Sequence, residues 1–86
     1  MKQRPSPLRA RRLLRGLRLR DVEHATGVHD TIVSQLERAD RPLRGRALHA
    51  LATFYRTPAT QLVDEMRRWS ERQAGAALAE GVGVER

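Results

Sequence analysis

The sequence predicts an all-α fold, a bundle of five short helices, and three observations carry that prediction. Apolar residues recur three or four apart, as in Val33 and Leu36, Leu48, Leu51 and Ala52, and Leu62, Met66 and Trp69. No stretch alternates apolar and polar residues as a half-buried strand does. Residues that start or stop helices, namely Ser6-Pro7, Gly16, Gly27, Arg41-Pro42 and Thr57-Pro58, divide the chain into five segments.

Each segment follows from its local chemistry. Residues 1–6 form a basic, loose arm. Ser6 suits an N-cap and Pro7 a first helical position, so the first helix runs from there to about Arg15, where Gly16 ends it. Leu8 and Leu13 are expected to face the core, with Leu14 partly exposed. The second helix begins near Leu19 and ends before Gly27, with Val22, Ala25 and Thr26 on one side. The third runs from about Asp30 to Ala39, with Val33 and Leu36 inward. The fourth covers Leu43 to Tyr55, with Ala47, Leu48, Leu51, Ala52 and Tyr55 inward. Thr57 is expected to cap the fifth and Pro58 to open it, with Leu62, Val63, Met66 and Trp69 as its apolar stripe. That helix is expected to end between Arg68 and Ala79. The expected organisation is therefore an arm (1–6), a helical domain (7–72) and a tail (73–86) that frays or continues as helix.

Composition narrows the function. The 86 residues contain no cysteine, so disulfides and thiolate metal sites are excluded. No apolar run is long enough to span a bilayer, and the charged N-terminus lacks the apolar stretch of a signal peptide. The expected location is the cytoplasm, on the nucleoid. The net charge is +7, from 17 basic and 10 acidic residues. Residues 1–20 hold Lys2, Arg4, Arg9, Arg11, Arg12, Arg15, Arg18 and Arg20 and no acid. Arg38, Arg41, Arg44 and Arg46 form a second cluster. Such clusters suit a phosphate-bearing partner, and double-stranded DNA is the expected one.

The segment RLRDVEHATGVHDTIVSQLER, residues 18–38, places two short helices around Thr26-Gly27-Val28. That is the pattern of a helix-turn-helix, whose second helix can enter the DNA major groove. The outer face of the third helix carries Asp30, Thr31, Ser34, Gln35 and Arg38, which are polar side chains able to hydrogen-bond. Gly16-Leu17, Gly27-Val28, the SQLER segment and LHALATFY before the last helix, taken in that order, resemble the Cro and phage-repressor family, often called Xre-type. The resemblance covers about residues 7–64 and implies a lambda-repressor-like fold.

The resemblance also implies roles. His29, Asp30 and Thr31, with Ser34 and Gln35 one turn later, would read base edges. The chemistry fits: Gln35 can pair with adenine N6 and N7, Asp30 can accept from cytosine N4, and Thr31 can hydrogen-bond or pack on the thymine methyl. Asp30 has a competing role as a helix cap. Arg12 and Glu37 would form an ion pair fixing the third helix. Arg18, Arg20, Arg38, Arg41, Arg44 and Arg46 would contact phosphates, and Lys2 and Arg4 would reach a minor groove if the arm is ordered. Thr57, Pro58, Ala59, Gln61, Met66 and Trp69 lie where the family forms homodimers, although Met66 and Trp69 serve equally as core. Four positions depart from the family pattern: Arg18 and His29 replace small capping residues, Glu23 replaces a small packing residue, and Ala39 replaces a turn glycine.

Other chemistry finds little support. His24, His29 and His49 lack metal-ligand spacing, and no phosphate loop or nucleophile elbow is present. The chain is expected to be a transcriptional regulator, most simply a repressor, with no enzymatic activity and no cofactor or metal. Two alternatives stay open. One is an antitoxin or adaptor binding a protein partner through residues 66–86, and the other is a nonspecific DNA-coating protein.

Overall fold

In the computed structural model, which describes the backbone of residues 4–85 and the side chains of residues 4–75, five helices follow one another. They are α1 (Pro7–Leu14), α2 (Leu19–Thr26), α3 (Asp30–Glu37), α4 (Gly45–Phe54) and α5 (Ala59–Glu85). Ser6 is buried and its Oγ accepts the Arg9 N–H at 3.2 Å, which caps α1 directly before Pro7. Lys2 lies outside the described residues.

The core gathers one or more side chains from every helix. Leu8 of α1, Val22 of α2, Val33 and Leu36 of α3, Leu51 and Ala52 of α4, and Leu62 and Met66 of α5 are buried together, with Val28 and Tyr55 from the connections. Ala47, Leu48 and Trp69 pack on this cluster from its edge. Helix α2 lies on α3 and α4, and α1 bridges α3 and α5. An eight-residue helix is marginal alone in water, so packing of its apolar stripe, more than propensity, holds each of the first three helices.

Three helices end in the same turn. After α1, Gly16 has φ +67°, its N–H bonds the Leu13 carbonyl, and the Leu17 N–H reaches back to Arg12. After α3 the left-handed residue is Ala39 (φ +60°), with Ala39 N–H on Leu36 and Asp40 N–H on Gln35. After α4 it is Arg56 (φ +52°), with matching bonds to Thr53 and Ala52. These are Schellman turns, which satisfy carbonyls at the helix end and favour glycine. Two of the three are built without it.

Several expectations need correction. Leu13 is 48% exposed and so does not face the core. At that end of α1, the neighbouring Arg12 points toward α3 instead. Ala25 is exposed, and only Val22 of its side of α2 is fully buried. Helix α4 begins at Gly45, because Arg44 is extended (φ −160°, ψ 172°). Thr57 does not cap α5 with its side chain: its hydroxyl donates to the Tyr55 carbonyl and accepts from Arg11 Nε. Pro58 precedes the first helical residue, Ala59. Helix α5 continues to Glu85, beyond the expected limit at Ala79. A helix interior tolerates glycine at a cost of about 1 kcal/mol, and no proline follows Pro58 to break the chain. Its 27 residues span about 40 Å, and the molecule is 48 Å long.

Candidate nucleic-acid interface

The turn between α2 and α3 sets the angle of the whole site. Gly27 sits at φ +78°, ψ 2°, and its N–H bonds the Glu23 carbonyl at 2.7 Å. A side chain would find space there, so the left-handed backbone is what calls for glycine. Thr26 Oγ1 donates to the Val22 carbonyl at 2.7 Å and accepts the Val28 N–H at 3.1 Å, which ties both sides of the turn together. Val28 is buried and anchors the start of α3.

Both unusual N-caps find substitutes for the missing small residue. At α2 the Asp21 carboxylate accepts the Arg18 backbone N–H at 2.8 Å. That bond, with the guanidinium of Arg18 beside it, holds the Asp21 carboxyl below its usual range. At α3, His29 Nδ1 accepts the Thr31 N–H at 3.1 Å. The Asp30 carboxylate lies 3.1 Å from the same nitrogen. Glu23 supplies the second cap. Its Oε1 accepts the Asp30 N–H at 3.3 Å, so the carboxylate faces the positive end of α3. Asp30 is the first residue within α3, and the capping weighed for it is done by His29 and Glu23.

The outward side of α3 is polar throughout. His29, Thr31 and Arg38 are exposed, and Asp30, Ser34 and Gln35 are half-buried. Thr31, Ser34, Gln35 and Arg38 follow one another at helical three- and four-residue steps, along one stripe. Gln35 is not free: its Oε1 accepts from Arg41 Nε at 2.8 Å.

The inward side of α3 is fixed by charge as well as by packing. Arg12 donates from Nε and Nη2 to the two Glu37 oxygens at 2.7 and 3.0 Å, and from Nη1 to the Leu17 carbonyl at 3.0 Å. The side chains are only 11% and 5% exposed. This is a bidentate, desolvated pair, and the hydrogen bond to Glu37 raises the Arg12 pKa further. Tyr55 lies close by with the Arg15 guanidinium 5.1 Å from its ring centre. Burial, and then the Glu37 charge, push its phenol up to about 12.

The arginines differ in their freedom. Arg18, Arg20, Arg38, Arg41, Arg44 and Arg46 are all exposed. Arg18 pairs with Asp21 at 3.6 Å and Arg38 with Asp40 at 3.4 Å, contacts that an exposed anion can readily displace. The N-terminal arm is held where it meets the bundle, because the Trp69 indole donates to the Arg4 carbonyl at 3.2 Å. Met66 is buried in the domain's own core. Of the other residues considered for an interface between copies, Thr57, Ala59 and Trp69 are half-buried, while Pro58 and Gln61 are exposed. Among the described residues no group of three or more metal-ligating side chains comes together, and no helix is long and apolar enough to cross a membrane.

Sequence reasoning missed Glu23 as a cap and Arg41 as the partner of Gln35. The first had one legible signal, an acid four residues before the turn glycine; the second had none.

An all-α bundle that pins a polar-faced helix behind a glycine turn defines the class of DNA-binding helix-turn-helix proteins. Residues 7–69 match the helix-turn-helix domain family, and the chain belongs to it. Membership implies a DNA partner. No curated protein and no solved structure matches the chain.

Proposed function

We propose that the chain is a sequence-specific, double-stranded DNA-binding transcriptional regulator of the Xre type that acts as a repressor. One observation carries this reading. Helix α3 is locked from behind by a buried Arg12–Glu37 pair while its front offers polar side chains able to hydrogen-bond. In the major groove, His29, Asp30, Thr31, Ser34 and Gln35 would meet base edges. Arg18, Arg20, Arg38, Arg44 and Arg46 would straddle them and take phosphates. Occupying a promoter in this way blocks transcription without further chemistry. A homodimer through Thr57, Pro58, Ala59, Gln61 and Trp69 would place two copies of α3 about 34 Å apart on a palindromic site.

Selection from a random duplex pool at physiological salt tests the reading. An enriched motif is expected, as an inverted repeat if two copies bind together. Binding without enrichment would instead indicate nonspecific coating, and its affinity would fall steeply with salt. The length of α5 favours one further reading, an adaptor whose C-terminal segment engages a protein while α3 engages DNA. Truncation after residue 72 should then abolish the protein contact and spare the DNA motif.

A further inference from the structure

We propose that Arg41 is a positioning residue for Gln35 and thereby sets the purine preference of one base pair. This role rests on the reading of α3 as a base-reading helix. A glutamine amide can present its oxygen and its nitrogen in either of two orientations related by a flip. Arginine only donates, so an Arg41 Nε–H directed at Gln35 is compatible with the oxygen in that place and not with the NH2 group. The 2.8 Å bond therefore selects one of the two orientations. One oxygen lone pair and both amide N–H groups remain for the groove. That set matches adenine, whose N7 accepts and whose N6 donates. Guanine offers two acceptors, N7 and O6, which a freely flipping amide can satisfy through its NH2 group alone. Holding the amide thus favours adenine over guanine.

The backbone supports the arrangement. Gln35 is also the residue whose carbonyl accepts the Asp40 N–H in the turn that ends α3, so the turn itself brings the chain back beside Gln35. Pro42 follows directly and restricts Arg41 to extended conformations. Asp40, the nearest acid in sequence, pairs with Arg38 and leaves Arg41 to the amide.

The test compares base preference at every position of the selected site for the parent protein, Q35A, R41A, R41K and the Q35A/R41A double variant. Salt dependence is measured in parallel. R41A should lower adenine-over-guanine discrimination about five- to tenfold at the base pair relaxed by Q35A, and at no other. R41K keeps the charge and can still only donate, but its freely rotating ammonium does not fix a donor in the place of Nε, so it should lose much of the same discrimination while retaining the salt slope. The double variant should be no less selective than Q35A alone. Even weakening of all sequences by R41A, with a slope lower by about one and recovery in R41K, would make Arg41 a phosphate contact and overturn the proposal. Unchanged preference in R41A would overturn it as well. Absence of any preference in the parent protein would overturn the sequence-specific reading itself and this role with it. The side-chain amide NMR signal of Gln35 in the free protein separates the cases. It should move in R41A and R41K and stay in R44A, whatever the DNA shows.

Discussion

The two ends of α3 are held in opposite ways. At its start the helix is capped by His29 and Glu23, two bonds of 3.1 and 3.3 Å from polar side chains at the surface. Near its end Glu37 is clamped by two charge-assisted bonds at 2.7 and 3.0 Å, and both side chains are nearly closed to water. One end can adjust at little cost, and the other cannot move without exposing a buried charge. A fixed pivot at one end and an adjustable start at the other suit the base reading proposed for α3.

The largest effect should come from breaking the pivot. Glu37→Ala leaves a buried guanidinium without its carboxylate and should destabilise the domain by about 3 kcal/mol, read by chemical denaturation. Replacing both partners, as R12M/E37M, should recover much of that loss, because the destabilisation lies in the orphaned charge. A double variant no more stable than E37A would refute this account of the pivot. At the other end, Glu23→Ala should cost only about 0.5–1 kcal/mol, the scale of a surface cap. A loss as large as that of E37A would erase the contrast between the ends. Ala39→Gly should act in the opposite direction. It relieves a left-handed alanine that costs about 1–2 kcal/mol but adds freedom to the unfolded chain, so a gain of about 0.5 kcal/mol is expected.

The smallest effect belongs to a second ion pair from α1, Arg11 with Glu65 at 2.7 Å, which is partly exposed. The hydrogen bond from Arg11 holds the Glu65 carboxyl below its ordinary 4.5. The folded-state value is the lower one, so the pair's contribution is complete above 4.5 and fades as pH falls through the folded value. Glu65→Gln should therefore lower stability slightly at neutral pH and flatten its dependence on pH below 4.5, where the parent loses the pair's contribution.

The helical frame around this contrast is legible in the sequence, while most of the contacts that make it are not. Five helices, the α2–α3 turn and the inward placing of Val33, Leu36, Leu51 and Leu62 follow from spacing and breakers alone. Periodicity places Leu13 inward because α1 offers two adjacent leucines among arginines, and spacing does not show that the inward position goes to the stem of Arg12. Thr57 resembled a cap, but Arg11 from a distant helix and the nearby Tyr55 carbonyl compete for its hydroxyl. Met66 and Trp69 share a stripe whose spacing does not say what covers it, and only the packed fold gives Met66 to the core. The Glu23 and Arg41 contacts join flexible polar side chains across turns, and no periodicity marks such pairs.

The bond from Trp69 to the Arg4 carbonyl has a consequence for how the protein is made. It joins residues 65 positions apart, and Arg11 must likewise wait for Thr57 and Glu65. At ordinary rates of synthesis those 65 residues take about 3–13 s to assemble. Until α5 is made, α1 lacks one of the two helices it packs on, although both partners of the pivot, Arg12 and Glu37, are already present. Helix α3 is thus translated before α5, which braces α1 behind it, and a nascent chain stopped short of α5 would carry the proposed base-reading residues on an incomplete frame.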